Sequence, residues 1–264
     1  MNLLEGLLIG ALQGITEWLP ISSSGQGMLV LIQILGFKPR EAFSLAIFLH
    51  LGSLLAVIVY FRKELKRILY GAVNFSEEDL ESRKLTLFLI ISTIFTALIG
   101  LPLYFLILGY FSSLSGDLVT AAIGVLLIFT GLILKSGGFG TRKIADLTTF
   151  DMALVGLAQG IAILPGISRS GITIATLLLR KFDNSTSLVL SFLIAIPAII
   201  GAIIIGIGGN LFLPLPILMG IIASFIISLL AMDYLLKISE RLNFSKFCIF
   251  IGAIAFLFPL VNFI

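Results

Sequence analysis

A thirteen-residue phrase occurs twice in this chain, and each copy breaks an otherwise lipid-compatible run. Gln13 to Gly25 reads QGITEWLPISSSG, and Gln159 to Gly171 reads QGIAILPGISRSG. At a constant offset Gln, Gly, Ile, Ile, Ser, Ser and Gly coincide. The match extends backwards through Gly10 with Gly156 and Leu8 with Leu154 to an acid, Glu5 or Asp151. A fixed-offset copy marks an internal repeat. In membrane proteins, paired repeats with interrupted helices converge on a buried site.

The surrounding sequence sets the solvent. The chain is 59% hydrophobic and 12% charged, which excludes a soluble domain and predicts an integral membrane protein. Apolar runs at 42–61, 85–108, 117–135, 185–206, 213–236 and 246–263 each approach the roughly 20 residues that a helix needs to cross a bilayer. Segments 3–36 and 148–181 are also apolar, but Pro, Gly and Ser interrupt them. Broken backbone at membrane depth is tolerated only where protein or a wet cavity surrounds it. The expected fold is therefore all-α: six transmembrane helices plus two re-entrant helix hairpins, 3–36 and 148–181, in a single membrane domain. Repeat one covers about 1–135 and repeat two about 146–264.

Charge orients the repeats. With loop 62–84 on the cytoplasmic side, only Lys38 and Arg40 among the basic residues fall outside, and Arg169 lies in the membrane. The first hairpin then enters from outside and the second from inside, so the repeats are inverted and their tips face each other. Ser76 followed by Glu77, Glu78 and Asp79 predicts a capped helix start, and Ser136-Gly137-Gly138-Phe139-Gly140 a turn between the halves. Glu5 sits where a signal peptide would be basic, so no cleavable leader is expected. Cys248 is the single cysteine, which excludes a disulfide and a cysteine metal site within the chain. Basic residues are dispersed, unlike a nucleic-acid footprint, and no glycine-rich nucleotide loop is present.

Arg169 carries the most information. An arginine at the bilayer centre costs at least about 2.5–3.5 kcal/mol, so it needs a cavity or a partner. Glu17 is the candidate partner in a hairpin-to-hairpin ion pair, and an anionic ligand is the other reading. Ser168, Ser170 and Thr173 supply hydroxyls beside it, and Gly166 and Gly171 let backbone amides approach. A half-helix beginning after Pro165-Gly166 would add its free N–H groups, making an anion site suited to phosphate. Ser22, Ser23 and Ser24 stand at the matching place in the first hairpin, although serines at helix starts are often only caps.

Gln13 and Glu17, four apart, share a helix face. Beside bound phosphate they are candidate ligands for a divalent cation, Mg²⁺ or alternatively Ca²⁺, with a plain salt bridge to Arg169 as the alternative role of Glu17. Trp18 reads as an interfacial anchor or as hairpin packing. Gly6, Gly10 and Gly14, repeated as Gly156 and Gly160, predict close docking, one hairpin on the other or as generic helix packing. His50, the one histidine, reads by default as a satisfied core residue.

QGITEWLPISSSG together with PGISRSGIT resembles the undecaprenyl-diphosphate phosphatase family, the bacitracin-resistance phosphatases, over essentially the whole chain. The resemblance implies an enzyme that removes the terminal phosphate of a polyprenyl diphosphate on the external side of the cell membrane, recycling a lipid carrier for cell-surface polymers. It assigns the family's (E/Q)-x-x-x-E motif to Gln13 and Glu17. It makes Ser23 the nucleophile, Glu17 the acid/base or metal ligand and Arg169 the phosphate clamp. Ser22, Ser24, Gly166, Ser168, Ser170 and Thr173 fall in its phosphate-binding motifs. One position departs: the family usually has histidine after the serine-turn glycine, and this chain has Gln26. An amide hydrogen-bonds a phosphate but moves no proton at neutral pH. Three accounts compete: Glu17 alone does the proton work, His50 reaches the site and replaces the imidazole, or hydrolysis is lost. The expected partners are the membrane, the polyprenyl diphosphate and a second copy in a candidate homodimer. The competing function is a polyprenyl-phosphate flippase, because interrupted inverted repeats are also transporter architecture.

Overall fold

The computed structural model of the protein describes residues 1–73, 80–110, 114–135, 140–207, 214–238 and 244–261. These are all-helical apart from loops and one isolated parallel bridge between Arg142 and Phe182. The expected helix start at Ser76–Asp79 and the turn residues Ser136–Phe139 lie outside the described residues.

The first hairpin is α1 (Leu3–Thr16), a tight turn and α2 (Ser23–Leu29), which runs into a π-helical turn at Val30–Ile34. Helix α3 (Pro39–Tyr60) follows with proline at its start, where no intrahelical N–H is missed. Then come α4 (Arg62–Val73), α5 (Leu80–Tyr110) and α6 (Gly116–Lys135). The second hairpin is α7 (Thr149–Ile161) and α8 (Arg169–Leu179). The chain closes with α9 (Asn184–Ile207), α10 (Leu215–Ile238) and α11 (Phe244–Val261). Helix α4 falls in a stretch read from the sequence as a cytoplasmic loop. It is amphipathic, exposing Arg62, Lys63, Lys66 and Arg67 while burying Ile68.

Among the described residues, five helices are long and apolar enough to cross a membrane: α3, α5, α6, α9 over Asn184–Ile205 and α10 over Leu215–Leu235. The sixth expected run coincides with α11, whose apolar stretch Cys248–Pro259 is shorter. The outer surface matches that solvent. Leu98, Phe105, Ile204, Leu230 and Phe250 are all exposed, an arrangement suited to lipid and costly in water.

The acid opening each copy of the repeat closes a capping box. Asn2 accepts the Glu5 amide at 2.9 Å while Glu5 accepts the Asn2 amide at 2.7 Å, and Thr148 and Asp151 exchange the same pair of bonds at the start of α7. Asp151 does more. It is fully buried and receives Arg142 and Arg180, each at 2.6 Å, tying the segment before α7 to the end of α8.

Glycines set the helix contacts. Gly6, Gly10 and Gly14 of α1 lie against the backbone of Pro216, Gly220 and Ser224 in α10. Gly156 and Gly160 of α7 lie against Ser92, Thr96 and Gly100 of α5. Each ridge therefore docks on a long helix rather than on the opposite hairpin. Without a Cβ the backbones approach closely, the main source of attraction between helices in lipid. Helices α6 and α11 pair in the same manner through Gly124 and Gly252.

Candidate active site

The two hairpin tips meet, and Ser22 joins them. It takes the left-handed conformation, φ 61°, and its Oγ accepts the amides of Gly25 at 3.3 Å and Gly166 at 3.1 Å. Gly166 has φ 104°, a conformation open to glycine, and its carbonyl accepts Thr130 Oγ1 at 3.3 Å. Thr130 Oγ1 in turn accepts the Ser168 amide at 3.2 Å, so α6 braces the second tip. From the second tip Ser170 Oγ donates to the Leu19 carbonyl of the first at 2.9 Å. Ser168 caps α8 by accepting the Gly171 amide at 3.1 Å.

This stitching places the first residues of two helices, Ser23 of α2 and Arg169 of α8, on one carboxylate. Glu17 follows the last turn of α1 and is 5% exposed. Arg169 Nη2 pairs with its Oε1. Its Oε2 accepts Ser23 Oγ at 2.5 Å and Gln13 Nε2 at 2.8 Å, with His50 Nε2 at 3.1 Å. Arg169 also donates from Nη1 to the Ser191 carbonyl of α9 at 3.3 Å, and its guanidinium lies 5.7 Å from the centre of the Trp18 ring. Trp18 is fully buried, edge-on to Phe192 at 5.0 Å, so it packs the site and is no interfacial anchor.

Above this cluster lies a cavity of about 230 Å³. Its polar end is formed by Glu17, Ser22, Ser23, Ser24, His50, Ser168, Arg169 and Ser170. The rest of its wall comes from α3, α5, α7, α9 and the second tip, largely apolar through Phe43, Ile47, Leu101, Ile163, Ile199 and Ile205, with Thr93, Thr96, Tyr104 and Gln159 as its further polar residues.

The expected site residues thus divide. Glu17, Ser22, Ser23, Ser24, Ser168, Arg169, Ser170 and His50 line one cavity. Gln13, Gln26, Gly166 and Thr173 are not on its wall. Gln26 Nε2 donates to the Ile21 carbonyl at 3.3 Å. Thr173 is fully buried and bonds Ser191 Oγ at 2.7 Å, fastening α8 to α9. Ser22 spends its hydroxyl on the opposite tip. The residues that the sequence did not single out are Thr130 and Ser191. Each is a small hydroxyl in an apolar run, a type that seeks a partner across helices.

As a seat for a divalent cation, Gln13 and Glu17 do not fit. Gln13 turns its amide N–H toward Glu17, and both carboxylate oxygens already meet hydrogen-bond donors, one of them a guanidinium. Among the described residues no group of three or more His, Cys, Asp or Glu side chains is placed to hold a metal.

The chain is similar to known proteins over nearly all of its length. The family model described as "Bacitracin resistance protein BacA" matches residues 6–257. The chain is 44% identical over 257 residues to an undecaprenyl-diphosphatase of Methanothrix thermoacetophila, covering 96% of each chain. It is 41% identical to an undecaprenyl-diphosphatase of Methanopyrus kandleri, covering 98% of this chain and 97% of the relative. A third, from Methanococcoides burtonii, is 40% identical with 97% and 98% covered. With matched residues running from the first hairpin to α11, the chain belongs to the BacA family of bacitracin resistance proteins.

Proposed function

We propose that this protein hydrolyses a polyprenyl diphosphate of the undecaprenyl type to the monophosphate and inorganic phosphate. One observation carries the reading: Ser23, Glu17 and Arg169 converge at the polar end of a cavity whose remaining wall is largely apolar. A ligand with a charged head and a greasy tail matches both ends. The names of the relatives support hydrolysis over lipid carriage, as does a hydroxyl already bonded to a base.

In the proposed reaction Arg169 exchanges part of its hold on Glu17 for the diphosphate, balancing charge on the phosphoryl group as it transfers. Ser23 Oγ attacks the terminal phosphorus, the bridging P–O bond breaks, and the polyprenyl monophosphate leaves. The Ser23 proton passes to Glu17 Oε2, 2.5 Å away. Water then attacks the phosphorus of the phosphoserine, Glu17 returns its proton to the departing Ser23 Oγ, and inorganic phosphate is released. A divalent cation, Mg²⁺ or alternatively Ca²⁺, would offset negative charge on the diphosphate.

The proposed frame is a single domain of two inverted repeats, about 1–135 and 146–264. Two packing relations support it: α1 lies on α10 of the second repeat as α7 lies on α5 of the first. A further support is length. At about 1.5 Å per residue, the 14 residues of α1 and the 11 of α8 reach less far than the hydrocarbon core, about 30 Å thick. These short helices support re-entrant hairpins. The basic residues of α4 and of the Asp151 cluster favour a cytoplasmic location for that end, and the cavity is proposed to open outward in the cell membrane.

The test is phosphate release from a polyprenyl diphosphate by purified protein in detergent, with and without chelator, beside a liposome assay for lipid flipping. Release is expected. Flipping without release would overturn the reading.

A further inference from the structure

His50 is the one histidine in the chain and sits in the middle of α3, half-buried on the cavity wall. Both of its ring nitrogens face acceptors. Nδ1 lies 2.6 Å from the Ala46 carbonyl, one turn earlier, and a carbonyl accepts only. Nε2 lies 3.1 Å from Glu17 Oε2. That oxygen already accepts Ser23 and Gln13, and its mate accepts Arg169. A carboxylate surrounded by donors on both oxygens is the ionised form, which has no proton to offer. A neutral ring can satisfy only one of these two contacts. The other would set a nitrogen lone pair against an acceptor beside a buried carboxylate, where an unmade hydrogen bond is expensive.

Charge balance points the same way. Glu17 and Arg169 are the charged groups facing His50 from the hairpins, and Tyr104 of α5 is the remaining titratable side chain on the cavity wall. While Arg169 rests on Glu17, the carboxylate has a counter-charge without help from His50. Once a diphosphate draws Arg169 away, the carboxylate would stand beside an anion, and the proton of Ser23 would have a base that is itself repelled from the site.

We infer that His50 is a positioning residue for the proposed hydrolysis: its doubly protonated ring is the second cationic partner of Glu17 and keeps that carboxylate charged and aimed at Ser23 while Arg169 holds the substrate. The inference rests on the phosphatase reading. It gives the imidazole of this chain a place on α3, reaching the reaction through Glu17.

A single histidine makes the test direct. Nitrogen-15 NMR of histidine-labelled protein in detergent should show both ring nitrogens protonated near neutral pH, and Glu17→Gln should return the ring to a singly protonated form. The kcat of the native enzyme should fall on an alkaline limb that coincides with this titration. His50→Gln keeps an N–H donor but has no charge. It should lose that limb and lower kcat by about 10²-fold, with KM near native. A singly protonated native ring at neutral pH, or an alkaline limb unchanged in His50→Gln, would overturn the inference. If His50→Gln does not fold, the native NMR titration and its match to the native rate profile decide alone. Native protein that releases no phosphate at any pH would instead refute the phosphatase reading, while the NMR arm still reports the His50–Glu17 pair.

Discussion

Ser22 Oγ of the first hairpin accepts the backbone amide of Gly166 in the second at 3.1 Å, so each tip completes the other. A residue of the serine-rich turn thus acts as a joint, and its neighbour Ser23 is left free to meet Glu17. Ser22→Ala leaves the buried Gly166 N–H without a partner, which costs about 1–3 kcal/mol. The variant should melt at a lower temperature in detergent than the native chain. An unchanged melting curve would show that the tips are held by other contacts.

Arg169 has two holds that a lysine cannot reproduce. One nitrogen reaches Glu17 and the other the Ser191 carbonyl, a use of the planar fork that a single ammonium lacks. Arg169→Ala should lower kcat by about 10²–10³-fold, the scale of removing one donor to a developing charge. Arg169→Lys should recover only part of it. Full activity in the lysine variant would mean that point charge alone is required.

Gln26 donates to the Ile21 carbonyl at 3.3 Å and is not on the cavity wall. Gln26→His is therefore expected to leave the rate of phosphate release unchanged. A faster enzyme would show that the side chain at 26 reaches the substrate.

At Gly10 a Cβ would collide with the Gly220 backbone, whereas at Gly27 it would meet nothing within 4 Å. Gly10→Ala should destabilise by about 1–3 kcal/mol through overpacking. Gly27→Ala should be neutral or stabilising by up to about 1 kcal/mol. Equal melting temperatures for the two would contradict the docking of α1 on α10.

Asp183, just before α9, shows how pH acts at the membrane edge. Burial alone would raise its carboxyl, but the Thr186 side chain and backbone, at 2.7 and 3.0 Å, and Lys143, at 3.2 Å, outweigh this and hold it below the ordinary range. A depressed folded value means stability that is present above the unfolded pKa of about 3.9 and lost as pH falls through the lower folded one. Asp183→Ala should lower the melting temperature at neutral pH, and the gap should close in acid. A gap independent of pH would contradict the assignment.

Residues whose place follows from local chemistry were legible in the sequence. Arg169 could not sit in lipid unpaired, and the repeat put Glu17 and Ser23 in the opposing hairpin. The rest depended on rotation of helices about their own axes. His50 lies 33 positions from Glu17, and nothing local fixes which face of α3 meets the hairpins. The glycine ridges announced close contact but not the partner, which proved to be a long helix. Gln13 and Glu17 share a face, as their spacing of four implies, but which way the Gln13 amide points, N–H toward the carboxylate, is not written in that spacing. Helix α4 was hidden because its charges resemble a loop until the buried Ile68 is seen.

Ser23→Ala tests the central claim most directly, because it removes the attacking oxygen and one donor to Glu17 while leaving Arg169 and the cavity in place. Phosphate release from a polyprenyl diphosphate should fall to the background rate in this variant, with its melting temperature close to native. Release at the native rate from Ser23→Ala would contradict the account.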